Sequence, residues 1–543
     1  MRKPWRRAAL VLFVVALVGG GLFGNRLLAM SDEVRQRLRL YTELVTVAKS
    51  SFGAEVSHRD LVFASIQGML RPLDPHTNFL TPVAYSSMRE RQQGSFYGLG
   101  ILVGVRNGQL TVISPIEGTP ASRLGIRAGD VISTINGEPT EPLSLDEAVQ
   151  KLKGPKGTQV RITIVRRGLT EPLEFTVTRA EIPQTTVRYA YMIAPGTGYL
   201  SISDFSRSTG GEVTRALAQL RQQGMKRLLL DLRNNGGGLL DQAIEVADQF
   251  LPPGAKIVET RGRTRDAFQS WNAGADHPDL GVPLIVLVNT GTASAAEILS
   301  GAIQDHDVGL VIGTTTWGKG LVQTVYNLSY GAGIALTTAK YYTPSGRLIQ
   351  RDYSSYWDYY TRSEEAEDAT GAPAEHLPKP AAPAEEFSTD LGRKVYGGGG
   401  ITPDLVVEPT ELPEYAQFLL AHNAFFNFAI ELQGKRPVPS RDWRPEAALL
   451  DELQRWVVEQ KVDSAEDVAH GLADEATRAA ALRQLRADVL SSAFGLEAAH
   501  AALAEGDAQV QTALRQFDRA AELLARREAI GRPGATSRTA SVR

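Results

Sequence analysis

The pattern of apolar and polar positions changes character along the first third of the chain. From residue 31 to about 93, apolar residues recur every three or four positions, which predicts amphipathic helices interrupted at Pro72 and Pro75. From 94 to 183, short β-branched runs such as "LGILVGV" and "QVRITIVRRG" alternate with turn residues, around one helix candidate at 145–152. The second segment therefore predicts a small β-barrel or β-sandwich.

The rest of the pattern predicts an α/β core followed by helices. From 184 to 410, apolar strands such as "KRLLLDLRNN" and "VPLIVLVNTGT" each precede a helical pattern, which favours parallel strands with crossover helices. A Tyr-, Ala-, Pro- and Glu-rich stretch at 353–390 is interpreted as an insertion or linker within this core. Residues 411–530 predict a C-terminal helical module, and 531–543 a disordered tail. The predicted fold class is multidomain α+β.

The N-terminal 30 residues predict a targeting segment. An uncharged run at 8–24 follows a cluster of basic residues: Arg2, Lys3, Arg6 and Arg7. The positive charges favour a cytoplasmic N-terminus and export of everything that follows, to an extracytoplasmic or periplasmic location. A helix of this run would span about 25 Å, somewhat less than a hydrocarbon core of about 30 Å. A cleaved signal peptide and a retained membrane anchor both stay open.

Composition excludes several kinds of chemistry. With 43% apolar residues, 22% charged residues and a formal charge of −3, the chain has the profile of a globular protein, and no nucleic-acid partner is indicated. The absence of cysteine excludes thiolate nucleophiles, disulfides and Cys-ligated zinc. Neither HExxH nor GxxxxGK[ST] occurs. We therefore predict that the protein uses no metal and no nucleotide or other cofactor.

The stretch "TASAAEIL" places Ser294 where an apolar strand passes into a helix. One interpretation is a helix N-cap, which stabilises by about 1 kcal/mol. The other is a nucleophile at the carboxyl edge of an α/β sheet, where ligands commonly bind. Small neighbours would let a substrate backbone approach, and the N–H groups of the helix start could stabilise an oxyanion.

A serine nucleophile needs a base. His306 lies twelve residues further on, about 18 Å along a helix axis, so it cannot reach Ser294 and is predicted to be a surface residue at the helix end. Lys319 stands between two glycines at the start of a strand, and Gln323 falls on the same side of that strand. Burial against Trp317 would lower the pKa of Lys319 from about 10.4 by several units and make it a usable base. The alternative is a solvated surface lysine.

The stretch "LLLDLRNNGGGLL" opens a strand into two asparagines and three glycines, 234–238. Such a turn can present several main-chain N–H groups to an anion. A phosphate loop is the alternative, but GxGxxG is absent. An oxyanion hole formed by the N–H of Gly237 or Gly238 together with that of Ala295 fits better with a serine nearby.

Taken together, these motifs resemble the C-terminal processing peptidases, also called tail-specific proteases. The resemblance covers roughly residues 35 to 410, in the family order, through "GMLRPLDPHTNFL", "SPIEGTPASRLGIRAGDVISTINGE", "DLRNNGGGLLDQAIEVADQFL", "VNTGTASAAEILSGAIQD", "TWGKGLVQ" and "KYYTPSGRLIQRD". It implies a PDZ domain at 94–183 and a peptidase core at 184–410 with a fold like the Clp protease and crotonase.

For the peptidase core, the resemblance implies a Ser294 nucleophile, a Lys319 general base and an assisting Gln323. The oxyanion donor maps to Gly237, with Gly238 as the alternative because Gly236 stands where the family usually has proline. Glu297 matches an acidic position beside the nucleophile, for which a salt bridge is the simpler expectation.

For the PDZ domain, the resemblance implies a carboxylate-binding loop, and a following strand that accepts a substrate C-terminus by β-augmentation. The loop residues are Tyr97, Gly98, Leu99 and Gly100. The alternative is a PDZ-like fold without a peptide preference.

The predicted function is therefore an exported serine endopeptidase that recognises exposed, apolar C-terminal tails of protein substrates. The alternatives are a membrane-tethered PDZ scaffold or adaptor with an inactive or activator-dependent core and, less favoured, a crotonase-like acyl-CoA enzyme. Further partners allowed by the resemblance are an adaptor or activator protein and a second copy of the chain bound through terminal helices.

Overall fold

The computed structural model describes residues 32–274, 280–353 and 385–531. The predicted signal peptide or anchor, the C-terminal tail and most of the predicted insertion at 353–390 lie outside the described residues. Within these described ranges, no helix combines the length and the apolar character that a membrane span requires.

The N-terminal segment contains helices and one strand: α1 (Asp32–Ser51), α2 (His58–Leu70), β1 (Asn78–Leu80) and α3 (Pro82–Gln93). Ser57 caps α2 by accepting a hydrogen bond from the Asp60 N–H at 3.0 Å. The helical prediction missed β1, which pairs antiparallel with residues 333–335. Residues 325–336 and the segment up to Val83 form one compact unit, and the rest of the chain forms a second.

Residues 95–183 fold into a β-sheet domain with two short helices. Its elements are β2 (Ser95–Gly98), β3 (Ile101–Arg106), β4 (Gln109–Pro115), α4 (Pro120–Arg123), β5 (Val131–Ile135), β6 (Glu138–Pro139), α5 (Leu145–Leu152), β7 (Gln159–Val165), β8 (Leu173–Thr178) and β9 (Ala180–Pro183). The sheet order is β3-β4-β5-β7-β8, with β6 beside β5. Among the described residues, β3 pairs only with β4 in this sheet, so its outer edge keeps a row of N–H and C=O groups for another strand.

The described part of the α/β core carries a six-stranded sheet, a second sheet and a two-stranded pair. Its elements are β10 (Val187–Ala194), β11 (Thr197–Ile202), α6 (Thr209–Gln222), β12 (Arg227–Asp231), α7 (Leu240–Asp248), β13 (Lys256–Gly262), β14 (Gln269–Asn272), β15 (Leu284–Val288), α8 (Ala295–Asp305), β16 (Gly309–Gly313), β17 (Leu321–Asn327), β18 (Gly333–Tyr342), β19 (Glu386–Ser388), β20 (Lys394–Tyr396) and β21 (Leu405–Val406). The main, six-stranded sheet has the order β10-β11-β12-β15-β16-β21 and is parallel from β11 onward. The second sheet contains β13, β14, β17 and β18, and the two-stranded pair is β19-β20. Strand β19 lies within the predicted 353–390 linker, so the end of that stretch is part of a hairpin rather than a linker.

The C-terminal helical module follows: α9 (Glu414–Ala421), α10 (Ala424–Lys435), α11 (Ala448–Glu459), α12 (Ala465–Gly471), α13 (Glu475–Phe494), α14 (Leu496–Ala504), α15 (Ala508–Arg515) and α16 (Phe517–Gly531). Alternate residues of the main sheet face opposite sides. Leu228 and Val286 pack with α6, α7 and α8, whereas Leu229 and Ile285 pack with α15 and α16. The module therefore covers the second face of the parallel sheet, as a sheet buried on both sides requires.

The module also contacts the β-sheet domain. The guanidinium of Arg106, at the end of β3, lies 5.8 Å from the centre of the Phe426 ring on α10. Arg167 lies 3.7 Å from the Glu431 carboxylate on the same helix. These contacts join the end of β3 and the turn between β7 and β8 to α10, the first long helix of the module.

Asp488 on α13 gives this junction a predicted pH dependence. Burial raises the pKa of the Asp488 carboxyl to about 6, against the Gln484 hydrogen bond and the Arg106 charge. The folded state thus favours the protonated form of Asp488. The contribution of this protonation to the free energy of unfolding is fully present below about pH 4 and is lost as the pH rises through about 6. Asp488→Asn mimics the protonated acid, so at pH 7.5 we expect it to raise the free energy of unfolding by about 3 kcal/mol.

Thermal unfolding at pH 7.5 and at pH 4 tests this expectation, because the gain should vanish at the lower pH. Asp474→Asn in the same helix is the control. Asp474 is an exposed N-cap whose hydrogen bonds from Thr477 lower the pKa of its carboxyl, and asparagine caps a helix as well as aspartate does, so this substitution should not raise the free energy of unfolding at either pH. An equal effect of Asp488→Asn at both pH values would contradict the assignment.

Candidate active site

Ser294 stands between the fully buried strand β15 and the buried helix α8, at the N-cap position of that helix. Its backbone has φ 56° and ψ −115°, which is uncommon for a residue with a side chain. The Glu297 N–H donates to the Ser294 carbonyl oxygen at 2.9 Å. Backbone strain of this kind is concentrated at functional sites, so the conformation favours a functional role over a cap alone.

The glycine turn after β12 lies against Ser294, because β12 is the neighbour of β15 in the sheet. Gly237 has φ 98°, and a Cβ atom placed on it would lie 2.7 Å from the Ser294 Cβ. Asn235 fixes the turn from inside. Its side-chain Nδ2 atom donates to the Ile202 main-chain carbonyl at 2.8 Å. Its main-chain carbonyl oxygen accepts from the Ala293 N–H at 2.9 Å.

The predicted oxyanion donors differ in their hydrogen bonding. The Gly237 N–H donates to the Asn235 Oδ1 atom at 2.9 Å. In the part of the chain that the structure describes, the N–H groups of Gly238 and Ala295 have no acceptor. The structure therefore brings Gly237 and Ala295 beside Ser294, and Gly238 follows in the same turn, against Phe205 and Asp204. Of the three N–H groups, those of Gly238 and Ala295 are open.

Gly237→Ala is expected to disrupt this arrangement. The new Cβ would lie 2.8 Å from the Ala293 carbonyl oxygen and 2.9 Å from the Ala295 nitrogen, which are main-chain atoms that cannot turn away. A displacement of the turn by about 1 Å should lower kcat by about 10²-fold. Peptide hydrolysis measured beside Gly236→Ala provides a matched control, since nothing lies within 4 Å of a Cβ at Gly236. Equal activity of both variants would contradict the prediction.

Lys319 lies in the loop after β16, the strand on the other side of β15. Its Nζ atom donates to the Gln323 Oε1 atom at 3.1 Å, the contact that the sequence predicts. The strand begins at Leu321, two residues later than predicted. The Trp317 ring, predicted as an apolar wall for the lysine, carries the guanidinium of Arg351 at 4.0 Å from the ring centre.

Glu297 joins the serine and lysine segments. Its side chain is fully buried, and it accepts hydrogen bonds from these groups: the N–H of Ser294 (2.8 Å), the N–H of Gly318 (2.7 Å), the N–H of Lys319 (2.9 Å) and the hydroxyl of Thr316 (2.5 Å). Burial raises the pKa of the Glu297 carboxyl, and these donors act in the opposite direction. The partners are amides and a hydroxyl rather than a cation, so the salt-bridge expectation is wrong.

One oxygen of Glu297 holds both segments. Its Oε2 atom accepts from the Ser294 and the Lys319 amides, so these two nitrogens lie no farther apart than the two bond lengths combined. The Tyr341 hydroxyl lies within hydrogen-bonding distance of the Ser294 and Lys319 carbonyl oxygens as well. The sequence analysis assigned no role to Tyr341, although it falls within the quoted motif "KYYTPSG".

His306 ends α8, as predicted, but it is not a solvated surface residue. Its Nδ1 atom lies 2.7 Å from the Asp390 carboxylate and its Nε2 atom 2.7 Å from the Lys256 carbonyl oxygen. Its side chain is only 12% exposed. The surface prediction is therefore wrong, because two distant chain segments cover this helix end. Among the described residues, no group of three or more acidic or histidine side chains could hold a metal ion.

The predicted carboxylate loop lies at the start of β3. Tyr97 is 44% exposed and Leu99 is buried. Gly100 has φ 81°, and its carbonyl oxygen accepts hydrogen bonds from the Ile116 N–H and the Thr119 hydroxyl. Tyr97 and Gly98 end strand β2, where they pair with Glu181 and Ala180, so only Leu99 and Gly100 of the predicted loop lie between strands, directly before β3.

Known proteins match the chain in both regions. The model of peptidase family S41 matches residues 196–354, and a PDZ domain model matches residues 111–166. The carboxy-terminal-processing protease of Bartonella bacilliformis is 37% identical over 62% of this chain and 80% of its own length. The carboxyl-terminal-processing protease of Synechocystis sp. is 41% identical over 54% of this chain and 70% of its own length.

These matches and the site define a serine-type peptidase with a PDZ domain. The chain belongs to the carboxy-terminal-processing proteases of peptidase family S41. The predicted family and fold class are thereby confirmed.

Proposed function

We propose that this protein is an exported endopeptidase that uses Ser294 as nucleophile and uncharged Lys319 as general base. The observation that carries the proposal is the shared Glu297 oxygen, which fixes the main chains of both residues side by side. Gln323 accepts a hydrogen bond from the lysine amine and would hold its rotamer.

In the proposed reaction, Lys319 takes the Ser294 proton as the hydroxyl attacks the peptide carbonyl. The negative charge on the carbonyl oxygen is stabilised by the Ala295 N–H and by the glycine turn, where Gly238 has an open N–H. Lys319 then protonates the leaving amine, and a water molecule hydrolyses the acyl-enzyme.

The substrate tail would bind the PDZ domain by β-augmentation. Its carboxylate would be held by the main-chain amides at 97–100, and its backbone would pair with the open edge of β3. A six-residue strand offers about 20 Å of pairing length. Export rests on the N-terminal basic and apolar pattern. The membrane anchor, the adaptor and the homo-oligomer stay predictions.

The test compares hydrolysis of an unfolded protein with a free, apolar C-terminus and of the same protein with an amidated C-terminus. We expect amidation to raise KM with little change in kcat, because the carboxylate contributes binding rather than chemistry. Acid quenching during turnover, followed by peptide mapping with mass spectrometry, should locate the acyl group on Ser294. Equal KM values would refute carboxylate recognition, and an acyl group elsewhere would refute the nucleophile.

A further inference from the structure

Two side chains of the C-terminal helical module reach the start of the glycine turn. The NH1 atom of Arg233 donates to the Asp507 Oδ2 atom at 2.7 Å and to the Gln509 Oε1 atom at 2.8 Å. Its Nε and NH2 atoms donate to the buried carboxylate of Asp231, at the end of β12. Arg233 thus bridges the core sheet and the module.

This bridge is mostly removed from water. The side chain of Arg233 is 16% exposed and that of Asp507 is 25% exposed. Burial acts to lower the pKa of the Arg233 guanidinium, but the carboxylates of Asp231 and Asp507 outweigh it and the pKa is raised. The guanidinium is therefore held charged between two carboxylates, in a geometry that its planar fork fixes.

The contacts continue from Arg233 to the nucleophile. Asn234 follows directly, and its N–H donates to the Asn289 side chain at 2.8 Å. Asn235 is next, and its main-chain carbonyl oxygen accepts from the N–H of Ala293, the residue before Ser294. Gly237 and Gly238 complete the turn. The position of Arg233 consequently sets where the turn begins, four and five residues before Gly237 and Gly238.

Asp507 divides its two oxygens between two tasks. Its Oδ1 atom caps α15 by accepting from the N–H groups of Gln509 and Val510, and its Oδ2 atom accepts from Arg233. Gln509 is oriented by its own amide, which donates to the Val407 carbonyl at 2.7 Å. The start of α15 therefore presents a fixed acceptor pair to Arg233.

We infer that the C-terminal helical module is a working part of the active site, in which Asp507 and Gln509 are positioning residues for the turn that carries the proposed oxyanion donors. This inference rests on the proposed function. It assigns a task in the reaction to a region outside the motifs that the family shares. The two residues touch no reacting atom, and they act through Arg233.

Asp507→Asn separates the two tasks of this residue. Asparagine is as good an N-cap as aspartate, so α15 stays capped. Arg233 keeps its bonds to Asp231 and to Gln509 and loses only the carboxylate half of its contact with the module. We expect kcat to fall by 10-fold or more, because a displaced oxyanion donor weakens transition-state binding, with KM and the midpoint of thermal unfolding nearly unchanged.

Asp474→Asn is the matched control, since Asp474 also caps a module helix, α13, but is bonded to Thr477. The rescue variant combines Asp507→Asn with Gln509→Glu, which places a carboxylate oxygen 2.8 Å from Arg233. The glutamate gives up the amide that donates to the Val407 carbonyl, so the recovery is expected to be partial. The rescue variant should recover at least 3-fold of the lost kcat, whereas Gln509→Glu alone should not exceed the unsubstituted protein.

The same assay includes Ser294→Ala, so that two kinds of failure can be told apart. If Ser294→Ala stays active, the proposed function fails. If Ser294→Ala is inactive while Asp507→Asn keeps full kcat, the inference is overturned. It is also overturned if kcat falls without recovery in the rescue variant, or if Asp474→Asn lowers kcat as much, because both results would indicate a structural effect of the module alone.

Discussion

Replacing Ser294 with alanine should lower kcat/KM for a tail-bearing substrate by at least about 10³-fold, and replacing Lys319 with methionine should cost about as much. Alanine removes the hydroxyl but keeps the main-chain amide that Glu297 binds. Methionine keeps most of the lysine volume and removes the amine. Because nucleophile and base act in one step, their losses should not add. The kcat/KM of the double variant should therefore equal that of the less active single variant.

Steady-state hydrolysis of the same substrate by the three variants provides the measurement. Lys340→Met is the control, because Lys340 is an exposed lysine on β18. It should retain full activity. Additive losses in the double variant would show that Ser294 and Lys319 act independently, and a fully active Lys319→Met variant would remove the lysine from the mechanism.

Glu297→Gln should impair both folding and catalysis. A glutamine has one oxygen and one NH2 group, so the NH2 group would face two donors that now bind a carboxylate oxygen. Each buried donor left without an acceptor costs about 1 to 3 kcal/mol, so we expect the free energy of unfolding of the core to fall by about 3 to 5 kcal/mol. Since the same bonds hold the Ser294 and Lys319 amides, kcat should fall by at least about 10²-fold.

Urea unfolding followed by tryptophan fluorescence measures the first effect, and hydrolysis at a temperature where the variant stays folded measures the second. Glu138→Gln is the control, because Glu138 is exposed and pairs with Lys151 on the surface. It should change neither quantity. A Glu297→Gln variant of normal stability and activity would show that the carboxylate does not hold the two segments.

Local patterns were sufficient for the parts of the site that lie on neighbouring strands. Strand and helix periods predict the parallel sheet, and the ends of β12, β15 and β16 meet at one edge of it, which is why the glycine turn, Ser294 and Lys319 come together. The contact between Lys319 and Gln323 was also predictable, because it spans four positions of one segment.

Contacts between distant segments were not predictable. Arg233 and Asp507 are 274 positions apart, and no period or motif in the sequence connects them. Glu297 was expected to meet a cation, but its partners are a hydroxyl and three main-chain amides, and no sequence pattern marks such amides. His306 was placed on the surface because the sequence does not show that Asp390 and Lys256 fold over the helix end.

The junction between β3 and α10 limits the shape of what can occupy the sheet edge. A polypeptide whose terminus lies at Gly98–Gly100 and which pairs along β3 leaves the strand beside Arg106, where Phe426 stands. About six extended residues fit before that point. With the substrate bound as proposed, a protein whose last folded element lies closer than this to its C-terminus would bring that element against α10, so longer extended tails are expected to bind better.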